Sequence, residues 1–135
     1  MNREILFRGK RLDTGTWIES DIAFKVDDGE DKRGFVVVGF DYNGINQPYN
    51  FYTLEVDPAT VSQFTGLIDK NGKQIFEGDV IHHGDASELC LVTYIESGFY
   101  SVPTSKEKHT LSLEMWLSAC VVIGNIFDNP ELVAK

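Results

Sequence analysis

The stretch TGLIDKNGKQIFEGDVI, Thr65–Ile81, decides the fold of this chain. Asn71-Gly72 stands between the apolar pairs Leu67-Ile68 and Ile75-Phe76. That arrangement predicts a β-hairpin whose turn requires positive φ. Gly78 permits a tight bend, and Asp79 is placed to accept hydrogen bonds from nearby backbone donors before Val80-Ile81 open the next strand. The alternative is a calcium loop beginning at Asp69. Such a loop needs an oxygen ligand at its fifth position, glycine at its sixth and glutamate at its twelfth. Here Lys73, Gln74 and Val80 occupy those places, so the pattern fails. Asp69, Asn71, Gly72, Gly78 and Asp79 are therefore read as turn and corner residues and not as ligands.

Outward from this stretch, most of the chain alternates with the period of two that marks half-buried strands. Ile5 and Phe7 share one face, and Ile22, Phe24 and Val26 share another, with turn residues at Asp13–Thr16 between the first strands. GFVVVGF (34–40) is apolar on both parities, as expected of a strand covered on both sides. NFYTLEV (50–56) alternates again. DPATVSQFTG (57–66) predicts a short helix, with Asp57 as cap, Pro58 at its first position, Gly66 at its exit, and Val61 and Phe64 facing inward. ELCLVTYIESGFYSV (88–102) predicts two strands, and CVVIGNIF (120–127) one more. Leu113, Trp116 and Leu117 have helical spacing. Asn129-Pro130 opens a terminal helical turn.

Composition sets the broad class. The 135 residues are 42% hydrophobic and 24% charged, which suits a single folded domain. The apolar runs are far shorter than the roughly 20 residues of a membrane span, and the amino-terminal residues lack the continuous apolar segment of an export signal. A cytoplasmic protein is expected. The net charge of −9 opposes generic nucleic-acid binding. Its cations gather at Arg3, Arg8, Lys10 and Arg11, whereas Asp27, Asp28, Glu30 and Asp31 form an acidic cluster. Cys90 and Cys120 sit in apolar segments, as buried free thiols do.

QFTGLIDKNGKQIFEGDVI (63–81) closely resembles the signature of the YopX family of phage and prophage proteins. The resemblance extends to Phe7-Arg8 with Trp17 near the start and to Gly124-Asn125, Asn129-Pro130 and Leu132 near the end, so it covers nearly the whole chain. It implies a mainly β (α+β) protein with short helices: an N-terminal β-rich lobe at about 1–64, then an SH3-like small β-barrel lobe at about 65–135. It also implies terminal segments able to exchange between subunits. The family carries no agreed activity or catalytic residues. His82-His83 falls outside its pattern.

No catalytic constellation emerges. Adjacent on a strand, His82 and His83 point to opposite faces and do not grip one ion together; His109 lies in a polar segment. Cys120 has no electropositive sequence neighbours to lower its pKa. Glu77 and Asp79 would share a strand face as paired carboxylates, but corner and cap roles account for them more simply. Phosphate-cradling glycine motifs are missing. The expectation is thus no catalytic, cofactor or metal residue. The chain reads as a non-enzymatic accessory protein that self-associates through its C-terminal segment and binds a phage or host protein. Candidate interface residues are Phe127, Pro130, Leu132, Val133, Tyr49 and Tyr52, because tyrosine gives large contact area at low entropic cost. The competing readings are an acidic DNA mimic, a nucleic-acid binder using the basic N-terminal hairpin, or an enzyme with a site assembled around Glu77, Asp79 and His82 or His83.

Overall fold

Alternating strands punctuated by positive-φ glycines produce three antiparallel sheets in the computed structural model, which describes residues 4–41, 50–83, 89–95, 98–103, 111–112 and 119–133. The protein is mainly β. The chain divides into two compact units that meet in sequence between Gln63 and Phe64.

In the amino-terminal unit, β1 (Phe7–Lys10) and β2 (Trp17–Ser20) form a hairpin with Phe7 opposite Ser20 and Lys10 opposite Trp17. Gly15 closes it at φ 72°, its N–H donating to the Arg11 carbonyl. β3 (Ala23–Asp27), β4 (Lys32–Asp41) and β5 (Asn50–Val56) form a three-stranded sheet with β4 in the middle. One face of that sheet supplies the core of the unit through Val36 and Val56, both fully buried. Gly9 of β1 lies against Val56 so closely that a Cβ there would sit 2.7 Å from a Val56 methyl. A side chain at position 9 would force the two elements apart.

The helix expected over 57–66 is not formed. Asp57 does cap a helical turn, accepting from the Ala59 N–H at 3.0 Å, but the turn is a 3-10 helix of only Pro58–Thr60. The chain then runs as β6 (Ser62–Ile68). Ser62 and Phe64 point inward and Gln63 is half-buried, which is strand periodicity. Gly66, at φ 89°, lies in an irregular stretch between the paired positions Phe64 and Ile68, and so serves a bulge and not a helix exit.

β6 passes from one unit to the next: Ser62 and Gln63 pair with β1, and Phe64 and Ile68 pair with β7 (Gln74–Phe76). The second unit adds β8 (Asp79–His83), β9 (Leu89–Ile95), β10 (Gly98–Pro103), β11 (Leu111–Ser112) and β12 (Cys120–Asn125), in the spatial order β11-β10-β9-β8-β12. Ile75, Ile81, Cys90, Val92 and Cys120 form its core, with Leu67, Phe99 and Val122 packed against them. Among the described residues no pairing joins β11 to β12. The sheet is open, and the closed SH3-like barrel is not formed by these strands.

The terminal helical turn is also a 3-10 helix, Pro130–Leu132. Asn129 precedes it without an N-cap bond; its side-chain oxygen instead accepts from the Asn125 N–H. Leu113, Trp116, Leu117, His109, Arg3 and Tyr49 lie outside the described residues.

Candidate functional site

The hairpin at 65–81 has its chemistry turned inward. Gly72 N–H donates to Asp69 O at 3.0 Å and Asp69 N–H to Lys73 O at 2.8 Å, so Lys70 and Asn71 are the central turn residues, with Gly72 following at φ 84°. The positive φ that the Asn-Gly pair demands falls on Gly72, which follows the two central turn residues. Asp69 is buried. One carboxylate oxygen accepts from the N–H groups of Asn71 and Lys73, both at 2.9 Å, and the other from Val122 N–H of β12 at 3.0 Å. Burial pushes this carboxyl up, but the N–H groups of Val122, Lys73 and Asn71 and the Lys73 charge outweigh it and hold the group below its ordinary value.

Gly78 adopts φ 90° and donates to Val92 O, while its own carbonyl accepts from Ile126 N–H. Asp79 is buried at the same corner and accepts from Phe76 N–H at 2.8 Å. Asp69, Gly78 and Asp79 are thus buried in the second unit, while Asn71 and Gly72 lie exposed at the turn; among the described residues no three His, Cys, Asp or Glu side chains are grouped to hold a metal ion. Asp79 and the half-exposed Glu77 do not form an open carboxylate pair. Cys90 and Cys120 are buried thiols that are not joined in a disulfide. Burial, with Asp69, Cys90 and Asp79 nearby, pushes the Cys120 thiol up to about 11, away from nucleophilic character.

The C-terminal interface candidates fold back on their own unit. Asn125 Oδ1 accepts from Phe127 and Asp128 N–H, and Leu132 approaches within 3.0 Å of where a Cβ on Gly124 would lie. Phe127 packs over Gly78. Leu132 and Val133 are half-buried there, and Pro130 is exposed. Tyr52 is exposed on β5 of the other unit. The basic hairpin is likewise occupied: Arg8 is buried with its guanidinium 4.5 Å from the Trp17 ring centroid, and Arg11 pairs with Asp13 at 2.7 Å.

The sequence reading missed the surface that does face solvent. Ile22, Phe24 and Val26 alternate as a core strand would, yet they are 43%, 43% and 42% exposed. They share one face of the β3–β4–β5 sheet: Phe24 stacks on Phe35 across the strands at 5.1 Å, and the Arg33 guanidinium lies 5.0 Å from the Phe35 ring. Arg33 donates two hydrogen bonds to the Glu55 carboxylate, 2.9 and 3.2 Å, so its charge is answered within the face. The opposite face carries Val36 and Val56 and is the buried one. A hydrophobic alternation names a face but not which face is covered, and no local signal marked this one as open.

At the start of β3 the face runs into a cavity of about 290 Å³ lined by Glu19, Ser20, Asp21, Ile22, Val37, Val38 and Gly39. A β-bulge builds it. The register of β4 against β5 shifts between Val37 and Gly39, leaving Val38 as the extra, exposed residue. The Ser20 hydroxyl donates to Val37 O and accepts from Ile22 N–H, fixing the wall where β2 meets β3. At the other end of β3, Asp28 accepts from Glu30 and Asp31 N–H, which hold its carboxyl below the ordinary value and shape an exposed acidic tip.

The sequence model of the family described as YopX protein matches residues 6–134. The crystal structure of protein EF1440 from Enterococcus faecalis superimposes with a TM-score of 0.60 at 22% identity, covering 98% of this chain and 100% of that one. At that identity the likeness is one of fold. No curated protein matches the sequence.

Proposed function

The chain belongs to the YopX family, and from the surface its amino-terminal unit leaves open we propose that it is a non-catalytic interaction module that engages another macromolecule through the outward face of the β3–β4–β5 sheet. One observation carries this reading: Phe24 and Val26 on one side of β3, with Ile22 just before that strand, stand nearly half in water. Fully burying a side chain of this kind is worth roughly 1.5–3 kcal/mol. A contiguous apolar strip on a folded surface is the usual mark of a binding site.

The groups an enzyme would use support the same reading. Asp69 accepts from three backbone N–H groups and Asp79 from that of Phe76, both buried, and the Cys120 thiol is displaced upward. The placement of Leu132 against Gly124 gives the C-terminal segment cover within its own chain, so the open sheet is the better candidate for the interface than the tail.

The test is photo-crosslinking from position 24 in the full chain, with exposed Ile68 as the control position. Crosslinks formed specifically from position 24 are expected. Equal yields from both positions would sink the proposal.

A further inference from the structure

We infer that the occupant of this face is a basic protein segment carrying apolar side chains between its cations, with one lysine or arginine seated in the cavity at the β4 bulge. The inference rests on the docking face proposed above and adds the chemistry of the partner.

Three features of the face specify that chemistry. Its middle is apolar, with Phe24 and Val26 exposed and Phe35 stacked beneath Phe24. Both ends are acidic. Glu19 and Asp21 line the cavity at the start of β3, and Asp28, Glu30 and Asp31 form the exposed tip after its end. The guanidinium on the face, that of Arg33, is already answered by Glu55.

The cavity itself suits a long cationic side chain. Ile22, Val37 and Val38 offer apolar wall to an aliphatic stem, while Glu19 and Asp21 offer carboxylates to its charged head. At about 290 Å³ it falls just under the range of pockets that hold whole small-molecule ligands. A side chain anchoring a larger contact fits that size better. From Asp21 to Asp28 is about 23 Å at roughly 3.3 Å per strand residue. An extended segment therefore needs about six residues between its terminal cations, with apolar residues at alternate positions to reach Phe24 and Val26. A second copy of this chain is a poorer occupant, because its net charge of −9 would bring acid against acid.

The probe is a fluorescein-labelled synthetic peptide with a lysine pair at each end and leucines at alternate positions between, titrated into the full chain by fluorescence anisotropy. Saturable binding that weakens with added salt is expected. A matched peptide with glutamate pairs should lose it. Phe24→Ser should weaken binding about tenfold, and Asp21→Asn several-fold with a shallower salt dependence. Both residues are exposed, so the fold is expected to hold; should Phe24→Ser unfold by circular dichroism, Val26→Thr replaces it. Equal binding of the glutamate peptide, no binding of the lysine peptide, or indifference to both substitutions would overturn the inference. So would a dimer by sedimentation that Phe24→Ser dissolves while the lysine peptide fails to bind, because the occupant is then a second copy. Position-24 crosslinks without lysine-peptide binding would refute the partner chemistry and leave the docking face standing; loss of both would remove the face as well.

Discussion

Replacing Asp69 with asparagine changes one atom of a buried group that joins two distant pieces of backbone. The carboxylate accepts three N–H donors, two on one oxygen and one, from Val122, on the other. An asparagine can turn its oxygen toward Asn71 and Lys73, but its NH2 then faces the Val122 N–H, donor against donor. The loss is one hydrogen bond to a charged acceptor, about 1.5–3 kcal/mol, and Val122 N–H is left without its acceptor. We expect Asp69→Asn to cost about 2–3 kcal/mol near neutral pH. For 135 residues that is roughly 6–12 °C in Tm, read by scanning calorimetry. Acid supplies the second arm. The folded pKa of Asp69 is depressed, so its stabilising contribution is fully present above the unfolded value, about 3.9, and disappears as pH falls through the lower folded value. The gap between wild type and Asp69→Asn should accordingly shrink from about pH 4 downward. A gap below about 1 kcal/mol at pH 7, or one as large at pH 3 as at pH 7, would refute the reasoning.

The remaining predictions concern geometry and reactivity. At Gly72 an added Cβ meets nothing within 4 Å, but Gly72→Val places a β-branched residue at φ 84°, which should cost about 1–2 kcal/mol in urea unfolding; a neutral result would mean the turn is drawn wrongly. Gly124→Ala would put its Cβ 2.5 Å from Asn129 Oδ1 and 3.0 Å from Leu132, so it should destabilise by about 1–3 kcal/mol and speed proteolysis after Asn125. Cys90 and Cys120 should stay unreactive toward Ellman's reagent at pH 8 until denaturant is added; rapid labelling of the folded protein would contradict their burial and the raised Cys120 pKa.

Where short-range chemistry dictates the backbone, the sequence was a sound guide. Asn71-Gly72 announced a hairpin, and Gly78-Asp79 a corner, because φ preference and side-chain acceptors act within a few residues. The helix expected at 57–66 failed because Ser62 is polar yet buried, its hydroxyl donating to Thr60 O, which disguised the strand period of β6. The spacing of Val61 and Phe64 then looked helical. The partner of Asp69 could not be read locally, since Val122 lies 53 residues away. Nor could the open face: Ile22, Phe24 and Val26 have the pattern of a core strand, and only the packing of Val36 and Val56 on the other side of the sheet decides which face is covered. The candidate cavity was illegible for a related reason, as it depends on one extra residue in β4 that no turn signal marks.

The tie between Asp69 and Val122 also has a consequence in time. During translation at 5–20 residues per second, the stretch that separates them takes roughly 3–10 s to make. Over that interval the nascent hairpin holds a hydrated carboxylate whose last donor does not yet exist. Protection of this corner on the ribosome should therefore arrive as a late, abrupt event when β12 emerges, and not build up strand by strand.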